Sequence, residues 1–301
     1  MKIVEADKRI DFKQILYLTD FSGPSREALP VAAAIARTYG SRIVAAHVLV
    51  PSSYDYMAPE ATINLLESQQ EWAHAEMERV ETSLYSVPRV TFIEQGSTLW
   101  EVVSRLVKVH DIDLIVLGTH GRTGLKKALL GSSAEEVFRH SRVPVLTNGP
   151  AARESTKDFA RFHCILFATD FNEASSAAAS YAVSLAEENQ AQLVLLHVLP
   201  QPKPGKTSKP GELSVAEAIH RLESFVPQEA EFWCRPRAVV GHGDTADQVL
   251  SAARKHEADL IVLGVQGMHG LTRVAARVQK DIAYEIVAHA PCPVLTIRGE
   301  S

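Results

Sequence analysis

Cysteine is scarce in this 301-residue chain. Cys164, Cys234 and Cys292 are odd in number and scattered, with no Cys-x-x-Cys, which argues against a disulfide framework and against a zinc site. Long apolar runs are missing: none approaches the roughly 18 residues of a membrane-spanning helix. The opening Met1-Lys2-Ile3-Val4-Glu5-Ala6-Asp7-Lys8-Arg9 carries charges where a signal peptide needs its apolar segment, so a cytoplasmic location is expected. There is no excess of positive charge. Lys and Arg number 31 against 36 Asp and Glu, a net charge of -5, and no dense basic run occurs, which disfavours general affinity for nucleic acid or an anionic membrane. The sequence also lacks Gly-x-Ser-x-Gly, His-Glu-x-x-His and a cysteine framed by a matched histidine, so no catalytic constellation is expected. Apolar residues at 46% and charged residues at 22% are ordinary for a globular protein, and the length suffices for two cores.

What is present is one unit written twice. Lys13-Gln-Ile-Leu-Tyr-Leu-Thr-Asp20-Phe21-Ser22 recurs as His163-Cys-Ile-Leu-Phe-Ala-Thr-Asp170-Phe171-Asn172. Ala46-His47-Val48-Leu49 recurs as Leu196-His197-Val198-Leu199. His110-Asp-Ile-Asp-Leu-Ile-Val-Leu-Gly118 returns as His256-Glu-Ala-Asp-Leu-Ile-Val-Leu-Gly264, and Val143-Pro-Val-Leu-Thr147 as Cys292-Pro-Val-Leu-Thr296. Matched blocks in a fixed order define a tandem duplication. Its joint falls in the polar stretch Asn148 to Arg161, giving domains 1–150 and 151–301.

In the first domain, the short apolar runs Ile15–Thr19, Arg42–Val48, Arg89–Ile93, Leu114–Gly118 and Pro144–Thr147 suit strands buried on both faces. Between them, Ser25–Tyr39, Ala61–Leu84, Thr98–Val109 and Ser133–His140 have helical spacing, with Ser25 and Thr98 as polar starts. This alternation implies an α/β fold, a parallel sheet covered by helices on both sides. The second domain repeats it. There, Pro200 to Gly211, rich in Pro, Gly and Lys, reads as a mobile loop in place of part of the long crossover.

Ligands of open α/β sheets bind beyond the carboxyl ends of the strands, where strand order reverses. Asp20 follows the first strand. The fourth runs into Gly118-Thr-His120-Gly121-Arg122-Thr-Gly-Leu-Lys-Lys-Ala-Leu-Leu-Gly131-Ser132-Ser133. Gly118 and Gly121 remove side chains where a phosphate must approach and permit φ > 0. Gly131-Ser132-Ser133 opens a helix whose free N–H groups and dipole form an anion site, and Arg122 is the nearby cation. The competing reading is an ordinary capping box, Ser132 with Glu135 or Ser133 with Glu136. With no Gly-Lys-[Ser/Thr], this is not a Walker loop.

Asp after the first strand, His-Val ending the second and Gly-x-x-Gly-x9-Gly-Ser after the fourth resemble the universal stress protein family. The resemblance covers both halves. It implies two tandem, doubly wound five-stranded parallel sheets of order 3-2-1-4-5, with dimerisation through the last strand. Val143–Thr147 and Val294–Ile297 would otherwise be exposed edges. The resemblance pairs them as a pseudo-symmetric internal dimer, with a homodimer of whole chains as the further option. Its ATP-binding branch implies ATP, with or without Mg²⁺. Asp20 would contact the ribose or adenine side and the Val48 backbone the adenine, while Gly118, Gly121, Gly131, Ser132 and Ser133 would hold the phosphates. His120 and Arg122 would face the same ligand; for His120, a loop-stabilising role stands equally.

The second domain departs from this pattern. Gly264-Val-Gln-Gly267 keeps the opening glycines, but the Gly-Ser is replaced by Arg277-Val278 or, counting back from Pro293, by Lys280-Asp281. One competent nucleotide site is therefore expected, beside a degenerate second domain. Gly241-His242-Gly243-Asp244, opposite Glu94-Gln95-Gly96-Ser97, reads as a turn before a helix capped by Asp244 or Thr245. His47 and His197 read as hydrogen-bonded packing residues, and Cys164 and Cys292 as inert strand residues. Trp72, Met77 and Val80 read as a core face. The expected function is an ATP-binding stress or regulatory protein acting on an unidentified protein partner. The alternatives are a slow ATPase, with phosphates and metal near Arg122 and His120 but no carboxylate base in the loop, and a nucleotide-free scaffold.

Overall fold

The computed structural model describes residues 10–50, 59–119, 131–152, 160–201, 213–227, 230, 232–265 and 282–299. The first unit, built on Phe12–Asn148, runs β1 (Gln14–Leu18), α1 (Gly23–Tyr39), β2 (Arg42–Leu49), α2 (Pro59–Ser83), β3 (Arg89–Gln95), α3 (Leu99–Val109), β4 (Leu114–Gly118), α4 (Ser132–His140) and β5 (Val145–Asn148). Its strands are parallel, in the order β3-β2-β1-β4-β5. Central β1 pairs on both sides, Leu16 opposite Val44 and Ile115. With both faces covered, β1 and β4 bury almost every side chain, which is why they read as unbroken apolar runs rather than alternating ones.

The second unit, built on the chain from Arg161 together with Ile10 and Asp11, runs β6 (Cys164–Ala168), α5 (Glu173–Asn189), β7 (Gln192–Leu199), α6 (Val215–Glu223), β8 (Arg237–His242), α7 (Thr245–Lys255), β9 (Leu260–Val265), α8 (residues 282–289) and β10 (Val294–Arg298). Its order, β8-β7-β6-β9-β10, repeats the first. No described helix is long and apolar enough to cross a membrane.

Several local expectations change. Helix α1 starts at Gly23, not Ser25. Ser22 is its N-cap and accepts from the Ser25 N–H, and a proline in the first turn already has the helical φ. On α2 the buried face is Ala73, Met77 and Val80, while Trp72 is 38% exposed and leaves the core face assigned to it. Asp244, not Thr245, caps α7. It therefore takes the place of Thr98, the cap of α3, rather than that of Ser97. Cys164 lies in β6, but Cys292 falls in the turn before β10. All three cysteines are buried. Burial pushes the Cys164 thiol up to about 11 and that of Cys234 to about 12, and raises Cys292 further. The segments 202–212 and 266–281, holding most of the Pro/Lys loop, Gly267, Arg277, Val278, Lys280 and Asp281, lie outside the described residues.

Candidate functional site

The strand order of the first unit reverses between β1 and β4, and a cleft opens beyond their carboxyl ends. One wall is the turn after β1. Phe21 N–H donates to Thr19 Oγ1 at 2.9 Å and Ser22 N–H to Asp20 Oδ1 at 3.0 Å. These bonds hold Phe21 at φ 60, a left-handed conformation that costs an aromatic residue on the order of 1 kcal/mol. Phe171 repeats it at φ 63, its N–H donating to Thr169 Oγ1 while Asn172 N–H donates to Asp170 Oδ1. The Asp20 carboxylate therefore shapes the turn that places it on the cleft wall, a role its position in the sequence does not disclose.

Beneath the wall, Tyr17 Oη donates to the Ser25 carbonyl at 2.7 Å, and burial raises its pKa well above the ordinary phenol value, keeping it a donor. Val48 and His47 form the β2 side. His47 Nδ1 lies 2.7 Å from the Thr19 carbonyl, which can only accept, so Nδ1 carries the proton. The ring packs on Phe21 with centroids 4.6 Å apart, and Trp72 stands edge-on to both at 5.2 and 6.3 Å. His197 repeats the bond to Thr169 O at 2.8 Å and packs on Phe171 at 4.3 Å. Thr19, Ser25 and His47 were not singled out as cleft residues, although their repetition as Thr169, Ser175 and His197 was a signal that could have found them.

Gly118 ends β4 without the positive φ expected of it, and carries a packing role as well. The described residues with positive φ include only Gly40 and Gly243 among glycines, so Gly118 is not there for a left-handed turn. A Cβ at Gly118 would lie 2.6 Å from Pro24 C and from Ser25 N: the first turn of α1 rests directly on it. Gly264 does the same under Ala174 and Ser175, so the absent side chain serves packing in both units.

The loop after β4 leaves and returns at one point. Buried Thr119 donates its N–H to Asn148 O at 3.0 Å, and its carbonyl accepts from Gly131 N–H at 2.7 Å. That bond brings Gly118 and Thr119 beside the start of α4. There Gly131 is the N-cap and no side chain caps the helix, whereas α1, α3, α5, α6 and α7 are each closed by a Ser, Thr, Asn or Asp side chain. Neither capping box forms. Glu135 pairs with Arg139 at 2.5 Å, and Glu136 accepts from Trp100 N–H at 3.0 Å. Ser132 and Ser133 are instead exposed to the cleft. Asp20, Val48, Gly118, Gly131, Ser132 and Ser133 thus line one cavity. His120, Gly121 and Arg122 lie outside the described residues. No group of three or more His, Cys, Asp and Glu side chains suited to a metal ion occurs among the described residues.

The matching cleft of the second unit keeps Thr169, Asp170, Ser175, His197, Val198 and Gly264, but its helix side is Ile282, Ala283 and Ile286. Asp170 accepts from Ser175 Oγ at 2.7 Å and from Asn172 Nδ2 at 2.7 Å.

Two doubly wound α/β units in one chain, each with a cleft at its switch point, define a duplicated Rossmann-like protein. The universal stress protein family matches residues 11–147 and again 161–298, and the chain belongs to that family as a tandem member. A universal stress protein of Mycolicibacterium smegmatis is 25% identical over 296 residues, covering 94% of this chain and 96% of that one. One from Thermus aquaticus is 31% identical over 140 residues, covering 46% of this chain and 99% of its own. The crystal structure of a universal stress protein from Archaeoglobus fulgidus matches with a TM-score of 0.69 at 18% identity, over 97% of this chain and 98% of that one, a likeness of fold.

Proposed function

We propose that the first unit binds ATP, with Mg²⁺ as the accompanying ion, and that its occupancy is read by a protein partner in a stress-linked regulatory response. The observation that carries this reading is the start of α4: a helix N-terminus that opens into the cleft with glycine at its cap and serines at its first two positions. Unsatisfied N–H groups and the positive end of the helix dipole attract an anion, and two hydroxyls add donors. The donor set fits a polyphosphate. Asp20 would accept from ribose hydroxyls, the Val48 backbone would meet the base, and Gly131, Ser132 and Ser133 would take the phosphates. His120, Gly121 and Arg122 of the same loop motif would complete the cradle, Arg122 as the compensating cation. Mg²⁺ would supply charge neutralisation between phosphate oxygens.

The second unit carries the degenerate site, because its helix α8 presents Ile282 where α4 presents Ser133. Calorimetry with Mg-ATP on the full chain tests the reading. Converting Ser132 and Ser133 together to alanine removes two donors to a charged group, each worth about 1.5–3 kcal/mol, so affinity falls by a factor of ten or more. Unchanged affinity sinks the assignment. ADP accumulating at catalytic protein levels replaces the binding reading with hydrolysis.

A further inference from the structure

The two clefts share one end and differ at the other. Thr19, Asp20, Ser25, His47 and Val48 recur as Thr169, Asp170, Ser175, His197 and Val198, each lining its own cavity. At the far end three exchanges reverse the polarity. Thr119 becomes Val265 and Ser133 becomes Ile282, while Leu99 on the facing helix becomes Thr245. Buried Ile286 and Val249 extend the aliphatic surface. Among the described residues, the far end of the second cleft is therefore aliphatic on the β9 and α8 sides and carries one hydroxyl, Thr245, while the acceptor Asp170 and the hydroxyls of Thr169 and Ser175 stay at the shared end. A phosphate pressed against Val265, Ile282 and Ile286 would give up its water and find aliphatic carbon in return. A neutral body would instead bury apolar surface there, and its hydroxyl or amino donors would reach Asp170 and Thr245.

We propose that the second cleft is a binding site for an uncharged purine nucleoside and discriminates against its phosphorylated forms. The purine identity rests on reading the first cleft as an adenine-nucleotide site. The rejection of phosphate rests on the second cleft alone. The chain would thereby sense two chemical states of one compound in its two halves, each wall selecting for or against the charge.

The test is methyl NMR on the full-length protein labelled at Ile, Leu and Val methyl groups, titrated separately with adenosine, AMP and Mg-ATP. The Ile282 signal is assigned by its loss in Ile282→Val, and Leu117, which lines only the first cleft among the two, reports on ATP there. The expected result is a saturable shift of Ile282 and Ile286 with adenosine, at least tenfold weaker binding of AMP at those signals, and ATP shifting Leu117 instead. Ile282→Ser should collapse the preference for adenosine over AMP to within about threefold, because it restores the hydroxyl of the first unit. No saturable adenosine shift at Ile282, or equal affinity for AMP, overturns the proposal. If ATP moves Leu117 while adenosine leaves Ile282 still, the proposal falls and the ATP reading stands. If adenosine moves Ile282 and ATP leaves Leu117 still, the ATP reading falls and phosphate rejection stands.

Discussion

Replacing Gly118 with alanine sets a methyl carbon 2.6 Å from Pro24 C and Ser25 N and 2.8 Å from Pro24 O. All three are backbone atoms in the first turn of α1, so no rotamer change relieves the overlap. Ordinary contact begins near 3.4 Å, so the helix must lift by most of an ångström or the strand end must bend. Overpacking of this kind costs about 1–3 kcal/mol, and rigid partners place it at the upper end. For a unit of this size, about 3 kcal/mol corresponds to a fall in melting temperature of roughly 6–12 °C. Gly264→Ala meets Ser175 N at 2.4 Å and Ala174 C at 2.5 Å and should cost as much in the second unit. Denaturant unfolding of both variants beside the parent chain gives the two values. Comparable losses support a packing role common to both halves. A Gly118→Ala chain of parental stability that fails to bind ATP, beside a silent Gly264→Ala, would refute this and return Gly118 to the phosphates.

Three other outcomes are expected. Ser133→Ile, which writes the residue of the second unit into the first, should weaken ATP at least tenfold while leaving stability within about 0.5 kcal/mol, since the site is exposed; calorimetry and denaturant unfolding check the pair of values. Hydrogen bonds from the Ser214 backbone and side chain hold the Glu217 carboxyl below its usual range. The folded state thus favours the charged form, so this stability is present above the ordinary carboxylate pKa and lost as pH falls through the lowered value; the deficit of Glu217→Gln at pH 7 should vanish in acid unfolding curves. Buried Cys164 and Cys234, with thiols raised to about 11 and about 12, should react with a thiol reagent only after denaturant is added.

The sheets were legible because buried parallel strands write themselves as apolar runs. The expected first-unit strands lie within two residues of those observed at each end, and the repeated blocks fixed the order of elements in the second unit. Helix starts were harder to read. Ser22 and Ser25 are both plausible caps, and Pro24, which belongs in a first turn, was the clue that favoured Ser22. The packing constraint on Gly118 was not legible because it comes from Pro24 and Ser25, distant in sequence and touching only in the fold. Trp72 fitted the helical period of Met77 and Val80, yet it stands against Phe21 and His47 at the surface. Asp20 showed its position but not its turn, since an Asx bond needs coordinates. The asymmetry of the two clefts was visible as a missing Gly-Ser. The aliphatic wall of Ile282 and Ile286 emerged only once α8 was placed beside β9.

Stoichiometry bears most directly on the central claim, a phosphate-accepting cleft in the first half and a phosphate-rejecting one in the second. Nucleotide released on heat denaturation of the purified chain, together with calorimetric titration of Mg-ATP, would be quantified per chain. The account predicts a single ATP site per chain that disappears when Ser132 and Ser133 are both alanine. Two equal ATP sites, or one that survives those substitutions, would contradict it.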